Sequence, residues 1–142
     1  MIHSSRVDCE MRIVMPATLQ AVEDFFVEFR ARSRALMDRV NCFAAELLVR
    51  EALTNAVVHG CGADPDKKVH CALRLRGRKL LIAIQDEGDG FDWRALSGAL
   101  PSFADCSGRG TTILRQYADQ VRYNDRGNLV AMIKRFGEGK NS

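Results

Sequence analysis

The chain has 142 residues, enough for one domain with a real hydrophobic core. Its hydrophobic fraction of 46% and charged fraction of 27% are ordinary for a globular protein, and no apolar run is long enough to cross a bilayer. A net charge of +3 is too small to indicate nucleic-acid binding by itself. The N-terminal residues lack the long apolar core of a secretion signal, so the predicted location is the cytoplasm.

The cysteines and histidines show no spacing typical of a metal or dithiol site. The cysteines are odd in number and widely separated, so we interpret them as reduced thiols that fill apolar positions. The three histidines form no ligand pattern with them. The residues concerned are Cys9, Cys42, Cys61, Cys71 and Cys106, and His3, His59 and His70.

The chain begins with a predicted strand and an amphipathic helix. Residues Val7 to Met15 alternate between apolar and mostly polar side chains, which is typical of a half-buried strand, and Pro16 ends it. Apolar residues recur near helical spacing from about Thr18 to about Met37, with charged residues between them.

A second helix is predicted to run to about His59, with N-terminal caps within residues 38–41 and Gly60 as its C-terminal glycine. It is apolar on most of its circumference, yet Glu51 and Asn55 lie one turn apart and leave the same face. Burying polar groups without partners is costly, and a magnesium-bound ligand is one explanation for the pair.

A surface stripe of charge is an alternative explanation for part of this pattern. The pairs Glu46 and Arg50, and Arg50 and Thr54, have the same helical spacing. Asn55 is less easily explained in this way, because asparagine is a poor residue for the middle of a helix. Its carboxamide oxygen is, however, a good ligand for a hard cation that is already paired with phosphates.

Two predicted hairpins complete the regular elements. Residues 69–76 alternate, whereas Leu80–Ile84 within the next strand is apolar throughout and predicts burial on both faces, with Gly77 in the turn. A third helix is predicted at about residues 111–119, followed by strands at 120–124 and 129–135.

This order of elements indicates an α/β (α+β) two-layer sandwich, with a largely antiparallel sheet and helices on one face. We predict a single domain over residues 6–136, with residues 1–5 and 137–142 as flexible tails.

Two glycine-rich segments adjoin predicted elements, one after a strand and one before a helix. Asp86-x-Gly88-x-Gly90 comes directly after a strand, where the glycines allow the backbone to approach a flat ligand and the carboxylate can accept from an exocyclic amine. Ser107-Gly-Arg-Gly110 leads into a helix, an arrangement typical of phosphate binding, because backbone amides and the helix dipole face the anion. Each motif alone is a weak signal.

Three motifs follow one another in the chain: a helix with Glu51-x-x-x-Asn55, a strand ending in Asp86-x-Gly88-x-Gly90, and Gly108-x-Gly110 at the start of a helix. In this order they resemble the GHKL ATP-binding superfamily, which includes gyrase-type ATPases, heat-shock chaperones, mismatch-repair ATPases and histidine kinases. Within it, the segment Glu51-Ala-Leu-Thr-Asn-Ala-Val-Val-His-Gly60 is most similar to the small bacterial anti-sigma-factor serine kinases. The resemblance implies that Glu51 is the general base, Asn55 the magnesium ligand and Asp86 the residue that recognises the adenine amine. Gly88 and Gly90 would shape the base pocket.

The same resemblance implies a phosphate loop and a lid. The lid over ATP would run from about Trp93 to Ser107, and Arg109 would add positive charge near the phosphates. The phosphate loop and the start of the third helix would comprise Gly108, Gly110, Thr111 and Thr112.

The implied function is an ATP- and Mg²⁺-dependent protein serine kinase that phosphorylates an anti-sigma-factor antagonist and binds a sigma factor. The resemblance also suggests a homodimer through the first strand and helix, without direct contact to nucleic acid or membrane. Two alternatives lie close to this function: a nucleotide-binding anti-sigma module with little kinase activity, and a stand-alone histidine-kinase catalytic domain.

A nucleic-acid-binding hairpin is a further alternative. It would use the basic residues Arg74, Arg76, Arg78 and Lys79. A solvated strand face explains these charges, and no aromatic stacking pattern accompanies them.

Overall fold

The fold consists of a five-stranded sheet with two long helices on one face. A computed structural model of the protein describes residues 8–88, 114–125 and 127–137. Its elements are β1 (Asp8–Pro16), α1 (Leu19–Leu36), α2 (Arg39–Asn55), a π-helical segment (Ala56–Gly60), β2 (Lys68–Arg76), β3 (Lys79–Asp86), β4 (Gln120–Tyr123) and β5 (Leu129–Arg135). Residues 114–117 form a further helical turn.

The sheet has the strand order β1-β2-β3-β5-β4, and each neighbouring pair is antiparallel. This confirms the predicted fold class. Both predicted hairpins are present, and the turn residue Gly77 has a positive φ of 61°. The last strand, β5, lies between β3 and β4, beside the strand that ends at Asp86.

The predicted helix α1 is confirmed, together with its ends. The Thr18 side chain accepts from the amide of Ala21 and begins the helix. The buried face contains Val22, Phe25, Phe26 and Phe29. The rings of Phe25 and Phe26 meet edge to face with centroids 5.0 Å apart, a favoured aromatic geometry.

Helix α2 begins where the cap was predicted. The Asp38 side chain accepts from the amide of Asn41 at 2.8 Å. Arg30 of α1 pairs with Glu46 of α2, and Glu23 pairs with Arg50, so the two helices run antiparallel.

The central strand β3 differs from the prediction that it is buried on both faces. Leu80, Ile82 and Ile84 face the helices and are buried, whereas Leu81 and Ala83 on the other face are only partly buried. The described helices cover one face of the sheet, so the apolar residues of the opposite face are partly exposed.

The third helix is shorter at its end than predicted. Its described part is helical to Tyr117, whereas the prediction extended to residue 119, and its predicted start lies outside the described residues. The predicted tails also lie outside them, except Gly137. The four cysteines of the described ranges are free thiols, as predicted.

Candidate functional site

The polar pair of α2 lies at the C-terminal end of that helix. Asn55 is the last α-helical residue, and only 7% of its surface is exposed. Glu51 is partly buried one turn earlier, and Ala52 and Leu53 beside it are buried. The sequence therefore places a carboxylate and a carboxamide on a helix end that packs into the core.

The Asn55 side-chain amide has an unsatisfied donor. Its Nδ2 atom is buried and has no hydrogen-bond partner among the described residues. An unsatisfied buried polar group costs about 1–3 kcal/mol, so such a group in a native fold requires an explanation. A bound ligand that accepts a hydrogen bond from Nδ2 is an explanation that fits the site. A ligand that contacts the side-chain oxygen of Asn55, with the amide group turned over, is another.

Glu51 does not belong to the surface stripe of charge that was the alternative explanation. Glu46 and Arg50 do belong to it, because they pair with Arg30 and Glu23 of α1. Glu51 forms no ion pair with another described residue. Its carboxylate is thus available to a ligand or substrate.

Asp86 is a buried carboxylate at the end of β3, as the motif predicted. It is 3% exposed, and its Oδ1 accepts from the backbone amide of Gly88 at 2.9 Å. Its own backbone amide donates to the carbonyl oxygen of Asn128 at 2.9 Å. The backbone of Asp86 is therefore held by the chain around it.

Two glycines allow the end of the helix to contact the end of β3. A Cβ atom on Gly60 would lie 2.3 Å from Oδ2 of Asp86, and one on Gly88 would lie 1.9 Å from the carbonyl oxygen of Gly60. Real Cβ atoms do not approach other atoms so closely, so only glycine fits at either position without a rearrangement.

Gly60 has a different role from the one predicted. It closes the π-helical segment after Asn55, and the positive φ angles belong instead to Gly62 and Ala63. The prediction of a C-terminal glycine was correct in position, but the left-handed backbone begins two residues later. Gly60 is required because of its contact with Asp86. Isolated π-helical turns are frequent at functional sites, and this one joins Asn55 to that contact.

A small internal space lies between Asn55 and Asp86. It has a volume of about 10 Å³, which is about the room for one water molecule and far too little for a nucleotide base. A nucleotide would therefore have to lie outside this space, whose wall the described residues form. The residues that line the space are Ala52, Asn55, Ala56, Ile84, Asp86, Leu114, Tyr123, Gly127, Asn128, Leu129 and Val130.

The turn between β4 and β5 is the part of this wall that the sequence did not predict. Gly127 and Asn128 reach the space because β5 pairs with β3, which brings the turn beside Asp86. The glycine and asparagines of the turn were visible in the sequence, but nothing in their spacing indicated that pairing.

The donor set suits a magnesium ion that is bound largely through a ligand's phosphates. The described ranges contain no group of three His, Cys, Asp or Glu residues close enough to hold a metal ion. Magnesium usually keeps few protein ligands and takes the others from phosphates and water, so the described residues are compatible with Asn55 as the predicted protein ligand.

Several predicted site residues lie outside the described ranges. These are the lid from Trp93 to Ser107 and the residues Gly90, Gly108, Arg109, Gly110, Thr111 and Thr112. Among the described candidates, the structure brings Asn55 and Asp86 to the same small space, and it places Asp86 and Gly88 against Gly60.

The sequence of the chain is matched by a known protein family. The sequence profile of the histidine kinase-like ATPase domain matches residues 14–134. The chain belongs to this family. The match spans α1, α2 and the five described strands, except the first six residues of β1 and the last residue of β5.

Proteins named anti-sigma F factor are similar to this chain. The one from Anoxybacillus flavithermus is 30% identical over 101 residues, which cover 66% of this chain and 68% of the relative. Those from Shouchella clausii and Bacillus subtilis are 32% identical over 80 residues and 28% identical over 101 residues; they cover 53% and 66% of this chain, and 54% and 68% of the relatives. The predicted resemblance to the anti-sigma group is confirmed.

Proposed function

We propose that this protein is a cytoplasmic, ATP-dependent protein serine kinase that phosphorylates an anti-sigma-factor antagonist and binds a sigma factor. The observation that carries the proposal is the unsatisfied amide of Asn55 on the same small space as the buried carboxylate of Asp86. Family membership and the similarity to proteins named anti-sigma F factor support it.

The nucleotide would be held from three sides. The Asp86 carboxylate would accept from the adenine amine, beside the backbone of Gly88 and Gly90. Asn55 would hold Mg²⁺, which would supply positive charge to neutralise the phosphates. The glycine loop would bind the phosphates through backbone amides at a helix start, with added charge from Arg109 and added donors from Thr111 and Thr112.

Glu51 would act on the protein substrate. Its carboxylate lies one helical turn before Asn55, so a serine hydroxyl presented to the phosphates could reach it. Glu51 would orient the hydroxyl and accept its proton as the oxygen attacks. Phosphoryl transfer depends mainly on positioning and charge neutralisation, so a single base for the serine hydroxyl is enough.

The partner proteins and a homodimer belong to the same proposal. A sigma factor and an antagonist that presents a serine would be the partners, with nucleotide state selecting between them. A homodimer would form through β1 and α1, and β1 lies at an edge of the sheet, where backbone groups can meet a second chain. None of the described helices is long and apolar enough to span a bilayer.

The decisive experiment incubates the full chain with Mg²⁺, labelled ATP and a candidate antagonist, and compares the wild type with Glu51→Ala. We expect wild-type transfer to the antagonist serine, a loss of about 10²–10⁴-fold in the variant, and unchanged ATP affinity. Glu28→Gln is the control, because Glu28 is an exposed surface residue on α1.

Other outcomes would identify the alternatives. Normal transfer by Glu51→Ala would exclude Glu51 as the base. Nucleotide binding without label on the antagonist would indicate a binding module, and label on a histidine would indicate histidine-kinase chemistry.

A further inference from the structure

The β4–β5 turn is organised around the side chain of Asn124. Its Oδ1 accepts from the backbone amides of Asn128 at 3.0 Å and Leu129 at 3.2 Å. Its Nδ2 donates to Oδ1 of Asn128 at 2.6 Å. The Asn124 backbone adds two further bonds, to Gly127 and Leu129, both of 3.1 Å. One side chain thus fixes the C-terminal half of the turn.

The turn fixed by Asn124 is attached directly to the predicted base-recognition residue. The carbonyl oxygen of Asn128 accepts from the amide of Asp86 at 2.9 Å, one residue beyond the last pair of the β3–β5 ladder, Gln85 with Leu129. Gly127 and Asn128 also line the small space that Asp86 borders. A change in the turn would therefore move both the backbone of Asp86 and the wall opposite it.

The other side of Asp86 is held by β2, where Asp86 pairs with Val69 and Glu87 donates to the carbonyl oxygen of Lys68. These contacts keep β3 in the sheet, but they do not reach the wall formed by the turn. The Asp86 carboxylate itself is held by the amide of Gly88 and by its contact with Gly60. The position of the wall formed by the turn, relative to that carboxylate, depends on the Asn128 bond and hence on the Asn124 side chain.

We propose that Asn124 is a positioning residue that sets base selectivity, by holding the β4–β5 turn against Asp86. A carboxylate accepts from the 6-amino group of adenine and repels the 6-carbonyl oxygen of guanine. Discrimination of this kind requires the acceptor to be held in place. The inference rests on the proposed ATP site.

The test measures Mg²⁺-ATP and Mg²⁺-GTP dissociation constants for the wild type, Asp86→Asn, Asn124→Ala and Asn124→Asp. We expect the wild type to prefer ATP and Asp86→Asn to lose most of that preference. Asn124→Ala should weaken ATP binding about tenfold and leave GTP binding nearly unchanged, because hydrogen bonds that hold the turn are lost.

Asn124→Asp is the rescue variant. Its carboxylate keeps an acceptor for the amides of Asn128 and Leu129, and the Asn128 amide can rotate to donate to it. We expect it to regain most of the selectivity. If Asn124→Ala does not fold, Asn124→Ser, whose shorter side chain cannot span the same bonds, gives the same readout.

Asp38→Ala is the matched control. It also removes a side-chain acceptor for a backbone amide, at the N-terminus of α2. It should lower the melting temperature without changing the ATP/GTP ratio, which separates positioning from a general loss of stability. If Asp86→Asn loses the ATP preference of the wild type and Asn124→Ala keeps it, the positioning role of Asn124 is overturned while the role of Asp86 stands. A wild type without selectivity, or selectivity retained by Asp86→Asn, would overturn the role of Asp86 as well.

Discussion

Helix α2 has polar residues on two surfaces, and their surroundings differ. On the surface shared with α1, Glu46 and Arg50 pair with Arg30 and Glu23. At the buried end, Asn55 has an amide donor that no described residue satisfies. Polar residues at the same helical spacing therefore differ in whether the described chain satisfies them: those that face α1 are paired, whereas the buried donor of Asn55 is not.

The surface network is complete without a ligand. The hydrogen bond from Arg30 is the main cause that lowers the pKa of Glu46, with Arg50 adding to it. The guanidinium of Arg50 also lies 4.4 Å from the centroid of the Phe26 ring, which is a cation–π distance. The charges of the surface network are thus compensated within the chain. At the buried end, the Asp86 carboxylate and the Asn55 amide border a space the size of one water molecule.

The largest effect is expected at the close contact of the buried end. Gly60→Ala would force a methyl group against the Asp86 carboxylate, so we expect nucleotide affinity to fall about 100-fold and the free energy of unfolding to fall by about 1–3 kcal/mol. Isothermal calorimetry and urea denaturation measure these. Gly137→Ala is the control, because a Cβ there meets no atom within 4 Å. Wild-type affinity in Gly60→Ala would show that the contact is irrelevant to the site.

An intermediate effect, with opposite signs for binding and stability, is expected at Asn55. Asn55→Ala should weaken Mg²⁺-dependent nucleotide binding about tenfold or more, because a metal ligand is lost. The free energy of unfolding should stay constant or rise by up to about 1 kcal/mol, because the variant removes an unsatisfied buried donor. The control Asn41→Ala, at the other end of α2, should change neither. A destabilised variant with normal nucleotide binding would contradict the ligand role.

The smallest effect is expected in the surface network, and it depends on pH. Because the pKa of Glu46 is lowered in the folded state, its charge contributes stability above the ordinary value of 4.5, and this contribution is lost as the pH falls through the lowered value. Glu46→Gln should therefore destabilise the protein by about 1 kcal/mol at pH 7, with a smaller difference in acid. Glu28→Gln, which removes an exposed pair with Arg32, should show little effect at any pH. A pH-independent difference for Glu46→Gln would contradict the electrostatic explanation.

The helices and strands were largely predictable, because each depends on local periodicity and caps. Thr18 and Asp38 begin their helices as predicted. The strands β1 to β3 are found where alternation or an apolar run predicted them, and β4 and β5 where the final hairpin was predicted. The predictions that were wrong concern surroundings. The exposure of Leu81 and Ala83 depends on which face of the sheet the helices cover, which the strand's own sequence does not contain.

The elements of this protein, its family and the candidates Glu51, Asn55 and Asp86 could be predicted from the sequence, because motifs with fixed spacing can be recognised along the chain. The contact of Gly60 with Asp86, and the support of Asp86 by the turn of Asn124, became visible in the tertiary structure. These contacts depend on the end of α2 meeting the end of β3, and on β5 entering the sheet beside β3. Pairing between distant segments follows from the packing of the whole core, so no local pattern could indicate it.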